Sequence, residues 1–488
     1  MLGRMARQNL QHPTNLLGLA AELKAAGHEP RLLDLELAAD APGALAHALD
    51  EHRPEVVGLS VVTPHVPGAS GIARQCRLSN PDVFLIAGGP HATALPDDLL
   101  SEIPSLDAVC VGEGDRTLPE VCDALERAGA AADDRESALT TIPGLVLRDH
   151  GSTGARDPLT DLDALAPIDR GLLDWGAYEG LAGHKGVASP GVIRGGIRAT
   201  QIHLSRGCYA NCVFCSTNAV WGERARPGIR RRSVACVLEE IDRVIADFGV
   251  NHLNFEDDIF PPTLRYLEEL GAALIERPVT WSCNARVDGL KREHFELMAA
   301  SGCLKIDFGV ESGSERILEM NKKLVTRDRV VYVFDEAKRA GILRTAYLML
   351  GSHVDETPEE VEQTAALARE IAPDYITFTI ACPYPGTESW AVCKERGYLE
   401  LLPTGRPDWK RYGYYPGLPP WRFTHFTPEE MLATQKRFLR RFYMNPKFAW
   451  RMLSRVRSVS HLRALLSAGR DVTHFLGDRV GKRTTAAG

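Results

Sequence analysis

The sequence predicts an α/β protein: an N-terminal doubly wound, Rossmann-like domain, then a partial (β/α)6 barrel, then a helical C-terminal region. Three observations lead there. Short β-branched runs alternate with helix-length runs over residues 1–130, the rhythm of parallel βαβ units. After a stretch of weak periodicity the alternation resumes at Ala199 and lasts six rounds. The end of the chain keeps helical spacing alone. The divisions are therefore residues 1–130, a connector at 131–197, a barrel at 198–400 and a helical, basic region at 401–488. At ~150 residues per domain, 488 residues suit about three units.

Leu16–Ala26 reads as an amphipathic helix closed by Gly27. Arg31–Leu37, Val56–Val62, Val83–Ala87 and Ala108–Val111 are short and apolar, as strands covered on both faces require. Helices at Pro42–Glu51, Gly68–Arg77 and Thr117–Arg127 separate them. A ligand of such a sheet sits beyond the carboxyl ends of its strands. Met1–Pro13 is polar and irregular, so a strand before the first helix is either missing or lies upstream. The connector is rich in Asp, Gly, Ala and Pro, with room for one short hairpin. Barrel strands are expected at Gln201–Ser205, His252–Glu256, Thr280–Ala285, Leu304–Val310, Thr345–Leu350 and Tyr375–Ala381. Helices such as Val234–Phe248, Arg327–Ala340 and Pro358–Glu370 lie between them, and chemistry belongs at the strands' C-terminal ends.

Composition excludes several classes. The chain is 44% hydrophobic and 25% charged, ordinary for a globular protein. No apolar run approaches the ~18–20 residues of a spanning helix. MLGRMARQNLQHP has no apolar h-region, so a cytoplasmic location is expected. In that compartment the 11 cysteines stay reduced. A net charge of −7 argues against nucleic acid as a partner. That average hides an asymmetry: residues 431–488 hold 13 Lys+Arg and 2 Asp+Glu, a net +11, which leaves −18 on residues 1–430. Phe438 and Phe442 share one helical face there, as do Leu439 and Tyr443. Such a helix either packs on the acidic body, which is favoured, or makes peripheral contact with an anionic membrane.

The strongest motif is Ser205-Arg206-Gly207-Cys208-Tyr209-Ala210-Asn211-Cys212-Val213-Phe214-Cys215, directly after the first barrel strand. Thiolates are the soft ligands of iron–sulfur clusters, and three of them leave one iron of a 4Fe-4S cubane open. Structural zinc wants four ligands, and His203 and Cys236 lack a characteristic spacing for the fourth. Cys76, Cys110, Cys122, Cys236, Cys303, Cys382 and Cys393 are scattered and read as core residues.

The segment resembles the signature of the radical S-adenosylmethionine (SAM) superfamily, down to the aromatic Phe214 before the last cysteine. Five further segments resemble its cobalamin-binding branch: Ile86–His91, Val111–Asp115, Asn254–Asp258, Gly309–Gly313 and Pro383–Thr387. Methyltransferases, anaerobic magnesium-protoporphyrin cyclase-like and hopanoid-methylase-like members belong to that branch. The resemblance implies three cofactors: a 4Fe-4S cluster on Cys208, Cys212 and Cys215, SAM at its open iron, and cobalamin on the N-terminal domain. It places cobalamin near Ser60, Thr63, Gly88, Gly89, His91, Gly112, Glu113 and Gly114, with Glu113 accepting from corrin amides. The branch's histidine-ligand motif is absent, so cobalt is expected without a histidine; His65 is the alternative. SAM contacts fall to Phe214, Glu256, Asp257, Arg286 and Glu311. Here Arg286 would pair with the SAM carboxylate, and Asp258 could instead cap the next helix. A solvated turn or salt bridge is the bland alternative for these charges. The implied reaction is methylation of an unactivated carbon of a small molecule, by way of a 5′-deoxyadenosyl radical and methylcobalamin, with flavodoxin or ferredoxin as electron donor. The rivals are a non-methylating cyclase, oxidase or ring-contracting relative, and a cobalamin sensor or carrier.

Overall fold

The computed structural model describes residues 11–129, 132–178, 196–221, 228–413, 417–454 and parts of 456–470. The N-terminal unit runs α1 (Thr14–Ala25), α2 (Ala41–His52), β1 (Val56–Ser60), α3 (Val66–Ser79), β2 (Phe84–Gly88), α4 (Pro90–Ala94), α5 (Pro96–Glu102), β3 (Ala108–Cys110), α6 (Gly114–Ala128), α7 (Ala132–Leu139), β4 (Leu145–Leu147) and β5 (Gly151–Ser152). Its strands lie in the order β1-β2-β3-β4-β5, with β1 to β3 parallel and the β4–β5 hairpin antiparallel. Alternation of side chains gives the sheet two buried faces. Leu85, Ala87, Val109 and Val146 pack with Leu45, Leu49, Ala73 and Leu99 on one side. Ile86, Cys110, Leu145 and Leu147 pack with Val121, Ala124 and Leu139 on the other.

Two expectations change. Arg31–Leu37 forms no strand; Leu32 and Leu37 pack with Leu17, Leu173 and Tyr178, and Asp34 accepts from the Tyr178 hydroxyl at 2.5 Å. The segment is thus held by the connector's side chains rather than by a backbone ladder. The sheet also continues to Ser152, past residue 130, because the connector's hairpin pairs with β3. Residues 1–10, read from the sequence as irregular, lie outside the described residues.

After α8 (Trp175–Tyr178) the second unit follows: β6 (Ala199–Ile202), β7 (Ser205–Arg206), α9 (Ser216–Trp221), β8 (Arg230–Arg231), α10 (Val234–Phe248), β9 (His252–Phe260), α11 (Leu264–Leu274), β10 (Thr280–Arg286), α12 (Arg292–Ala300), β11 (Cys303–Glu311), α13 (Glu315–Met320), α14 (Arg327–Arg339), β12 (Leu343–Leu350), α15 (Pro358–Ile371) and β13 (Tyr375–Ile380). Six parallel strands in the order β13-β12-β11-β10-β9-β6 make the open, six-stranded barrel that the sequence predicts. Its outer face is one apolar core under the helices, centred on Phe255, Phe260, Trp281, Phe308 and Phe334. Trp281 is fully buried and its indole N–H donates to the Ser301 carbonyl at 2.8 Å. Burial of a side chain that large contributes about 3 kcal/mol.

The chain ends in α16 (Glu388–Glu395), α17 (Pro428–Tyr443) and α18 (Pro446–Ser454). Strand β13 is an edge, and α17 covers it. Gln435 donates to the Phe378 carbonyl at 2.6 Å, and the Tyr443 hydroxyl caps both the N–H and the carbonyl of Ile376. Phe438 and Leu439 are buried in the barrel core. The basic helix α17 therefore packs its apolar face on the body, while Trp450 and Leu453 of α18 stay exposed. No helix among the described residues is long and apolar enough to cross a membrane.

Candidate functional site

The three cysteines occupy the loop between the β7–β8 ribbon and α9, at the C-terminal end of the barrel. Gly207 opens it with φ +93°, and a Cβ there would stand 3.0 Å from the Gly228 carbonyl, so only glycine fits the turn. Backbone anchors fix the rest: Val213 N–H donates to the Asn321 carbonyl at 3.2 Å, and Ser389 N–H donates to the Val213 carbonyl at 3.0 Å. Burial pushes the Cys208 and Cys215 thiols up. A bound cation reverses that preference, since a coordinating thiol is deprotonated outright. Structural zinc wants a fourth ligand, whereas three thiols carried by one loop suffice for a cubane with one iron left open. The donor set fits a cluster better than a zinc ion.

Strand β9 supplies the loop's supports. Its pairing with β10 jumps from Phe255 to Phe260, so Glu256, Asp257, Asp258 and Ile259 bulge out of the ladder. Asp257 is buried and accepts from Leu204 N–H, Ser205 N–H and Ser205 Oγ at 2.9, 2.6 and 2.7 Å. Burial raises its pKa to about 7. Asp258 accepts from Gly207 N–H and Thr217 Oγ, both at 2.9 Å. These carboxylates clamp the protein's own loop. The helix that Asp258 was to cap begins at Leu264 and is capped by Thr263. Glu256, by contrast, reaches toward the N-terminal unit, accepting from Gln11 at 3.3 Å.

Arg286 is likewise committed to the loop rather than free for a ligand carboxylate. It donates to Asp288 at 2.8 Å and to the Lys323 carbonyl at 2.9 Å, approaches Cys212 Sγ at 3.7 Å and lies over the Tyr209 ring. Glu311 ends β11 with φ +68°, a strained backbone for a glutamate. Lys323 holds its carboxylate at 2.8 Å, and a Cβ on Gly309 would collide with that pair. Lys323 gave no signal in the sequence. Phe214 lines a cavity beside the loop with Lys322, His353, Cys382 and Trp421.

Below the loop the barrel's inner face is polar. Across the register run Gln201, Asn254, Ser282 and Lys305, then Asn284, Asp307 and Thr345, then Gly309, Tyr347 and Thr377. Ordinary barrel interiors are filled by bulky branched side chains. Here Lys305 pairs with Asp307 at 2.8 Å, while Gln201 (both amide atoms), Asn254 Nδ2, Thr345 Oγ1 and Thr377 Oγ1 are buried with no partner among the described residues. Buried polar atoms need partners, so this lumen is built for water or a polar ligand.

At the N-terminal sheet the residues expected around cobalamin divide. Ser60 is exposed at the end of β1, bonded to Asn15 at 3.2 Å, and Gly112 (φ +82°) has open space where a side chain would stand. His65 is exposed beside Glu36. The others are committed internally. A Cβ on Gly89 would meet the Val61 carbonyl at 3.0 Å, and one on Gly114 would meet Leu19 at 3.2 Å. Gly88 packs against Cys110. His91 is buried, bonded to Thr63 at 3.2 Å and set edge-on to Trp409; burial lowers its pKa to about 4, so it stays neutral. Glu113 is not available to corrin amides. Its carboxylate accepts from Arg206 at 2.6 Å, from Arg230 at 2.8 Å and from Leu159 N–H at 2.8 Å. Asp115 beside it takes a bidentate pair from Arg206 at 2.8 and 2.9 Å. Of the expected positions, Ser60 and Gly112 are the ones left open, at the ends of β1 and β3.

A B12 binding domain model matches residues 5–122, and a Radical SAM superfamily model matches residues 202–368. The chain is 29% identical over 439 residues to an uncharacterised methyltransferase of Pyrococcus horikoshii, covering 88% of each. It is 26% identical over 405 residues to the anaerobic magnesium-protoporphyrin IX monomethyl ester cyclase of Rubrivivax gelatinosus, covering 81% of this chain and 67% of the cyclase. The fold matches that of the radical S-adenosylmethionine methyltransferase TsrM from Kitasatospora setae, solved with cobalamin and a [4Fe-4S] cluster, at a TM-score of 0.68 and 17% identity over 95% of this chain and 97% of that one.

Proposed function

The chain belongs to the cobalamin-binding radical SAM family, a B12-binding domain followed by a radical SAM domain, and on that premise we propose that it methylates an unactivated carbon of a polar small molecule. The observation that carries this reading is a juxtaposition. Arg206 stands two residues before Cys208, and its partners Glu113 and Asp115 lie just beyond β3, so the cysteine loop is held against the end of β3, which supports cofactors placed side by side. When bound, the cluster, SAM and cobalamin supply reducing power, hydrogen abstraction and a transferable methyl group. The chain's own groups do the rest. Cys208, Cys212 and Cys215 hold three irons, and Arg286 neutralises charge beside Cys212. Glu311 and Lys323 offer SAM a fixed carboxylate and ammonium at the lumen's mouth. The polar lumen orients the substrate; Lys305 and Asp307 in it neutralise each other, and the unpartnered atoms are amide and hydroxyl groups, which favours a neutral ligand bearing hydroxyl or amide groups. We place the enzyme in the cytoplasm, with flavodoxin or ferredoxin as reductant.

Methyl transfer uses SAM for two ends, so S-adenosylhomocysteine and 5′-deoxyadenosine should accumulate together when reconstituted enzyme turns over. With methyl-labelled SAM, label should appear in the product. Turnover without label would replace this reading by the second one, a cyclase-like radical reaction, which the likeness to the protoporphyrin cyclase favours. The lumen has its own test. Gln201→Leu/Asn254→Leu should keep iron and cobalamin yet lose product formation by about a hundredfold, the scale of one or two lost hydrogen bonds at ~1.4 kcal/mol per tenfold. Unchanged turnover would remove the lumen from substrate binding.

A further inference from the structure

The N-terminal sheet and the cysteine loop are joined by one buried ion network. On the barrel side it has Arg206 on β7 and Arg230 on β8, directly opposite each other in the ribbon that launches the loop. On the other side it has Glu113, the N-cap of α6, and Asp115 in that helix's first turn. Arg206 spans both carboxylates, and Arg230 takes both oxygens of Glu113 while also donating to the Leu159 carbonyl at 2.7 Å. The side chains of Glu113, Asp115 and Arg230 are 9%, 11% and 5% exposed, and that of Arg206 is partly open at 26%. Two guanidiniums against two carboxylates balance in charge, and the carboxylates sit where the α6 dipole favours them. Buried pairs of this kind are all-or-none, because removing one partner strands the other in a dry site.

The placement matters more than the strength. Gly112, with open space beside it, immediately precedes Glu113, and Gly207 alone separates Arg206 from Cys208. One rigid contact therefore fixes the rim of the corrin site and the first cluster ligand together. We infer that Arg206 is a positioning residue that couples the two cofactor sites: order imposed at either one lowers the cost of ordering the other. Linkage makes that coupling reciprocal. The inference rests on the proposed cofactors but not on methylation, and it survives if the reaction is a cyclisation.

The test measures both directions of the linkage on the full chain. Hydroxocobalamin is titrated by absorbance into cluster-loaded and cluster-free protein under anaerobic conditions. Iron loss to a chelator is followed with and without hydroxocobalamin. Cluster loading should tighten cobalamin binding about tenfold, and cobalamin should slow iron loss by a comparable factor. In Arg206→Gln each cofactor should still bind, while the coupling factor falls to one. Asp115→Asn, which spares the Glu113–Arg230 pair, should lower it part-way and serves if Arg206→Gln does not fold. A merely structural salt bridge would weaken both affinities and leave their ratio unchanged. A coupling factor of one in the unaltered protein, or an undiminished one in the folded variants, would overturn the inference.

Discussion

Anaerobically reconstituted protein should hold about four irons and four sulfides, and Cys208→Ala/Cys212→Ala/Cys215→Ala should hold none. Cys382 and Cys393 line the cavity beside the loop, and burial raises the pKa of both thiols, which disfavours the thiolates a cluster needs. Cys236 lies in α10, where Arg232 contacts its sulfur, and Cys283 and Cys303 are buried in the barrel core. Formation of 5′-deoxyadenosine should fall to background, because without the cluster no electron reaches SAM. The loss is of a cofactor and not of the fold. The loop remains anchored by Asp257, Asp258, Asn321 and Ser389, so the melting temperature of cluster-free protein should hardly change. Iron retained by the triple variant would end the assignment.

The second large effect concerns Asp257. Asp257→Ala should lower stability by about 3–5 kcal/mol, since it strands three donors inside the protein. That corresponds to a fall of roughly 10 °C in the melting temperature. Asp257→Asn should cost less than about 1 kcal/mol. All three donors converge on Oδ1, and Oδ2, where the amide nitrogen would sit, has no partner among the described residues. The pH dependence has a definite sign. Folding raises this carboxyl from an ordinary 3.8 to about 7 through burial. Between those values the unfolded chain releases a proton that the folded chain retains, so rising pH favours unfolding. The contribution is fully present below about pH 4 and lost by about pH 7, a change of up to ~4 kcal/mol at 1.36 kcal/mol per unit. Denaturant melts at pH 5 and pH 8 should show a smaller difference in Asp257→Asn than in the unaltered chain. An equal pH difference in both would assign the slope to other groups.

The order of elements was legible because each leaves a local period. Six barrel strands and the alternation before them could be read from runs such as Tyr375–Ile380 and Phe84–Gly88, and Cys208, Cys212 and Cys215 from spacing within one loop. Arg31–Leu37 misled because strand formation depends on a neighbouring ladder, and Leu32 and Leu37 find Leu17 and Tyr178 instead. The basic stretch from Met431 could be read as a helix from its own spacing, but only the exposed edge of β13 decided what its apolar face covers.

What the sequence determined alone is therefore the chemistry within reach of a few neighbouring residues: the strand–helix rhythm and the cysteine triad. Tertiary structure alone decided the roles of charged residues. Glu113, Asp257 and Arg286 sit at strand ends as a ligand site would require, yet they are held by Arg206, Ser205 and the Lys323 carbonyl, 93, 52 and 37 positions away. A carboxylate or guanidinium pairs with whatever opposite charge or donor lies within about 3 Å, and that distance is set by how two units dock, which no local period records.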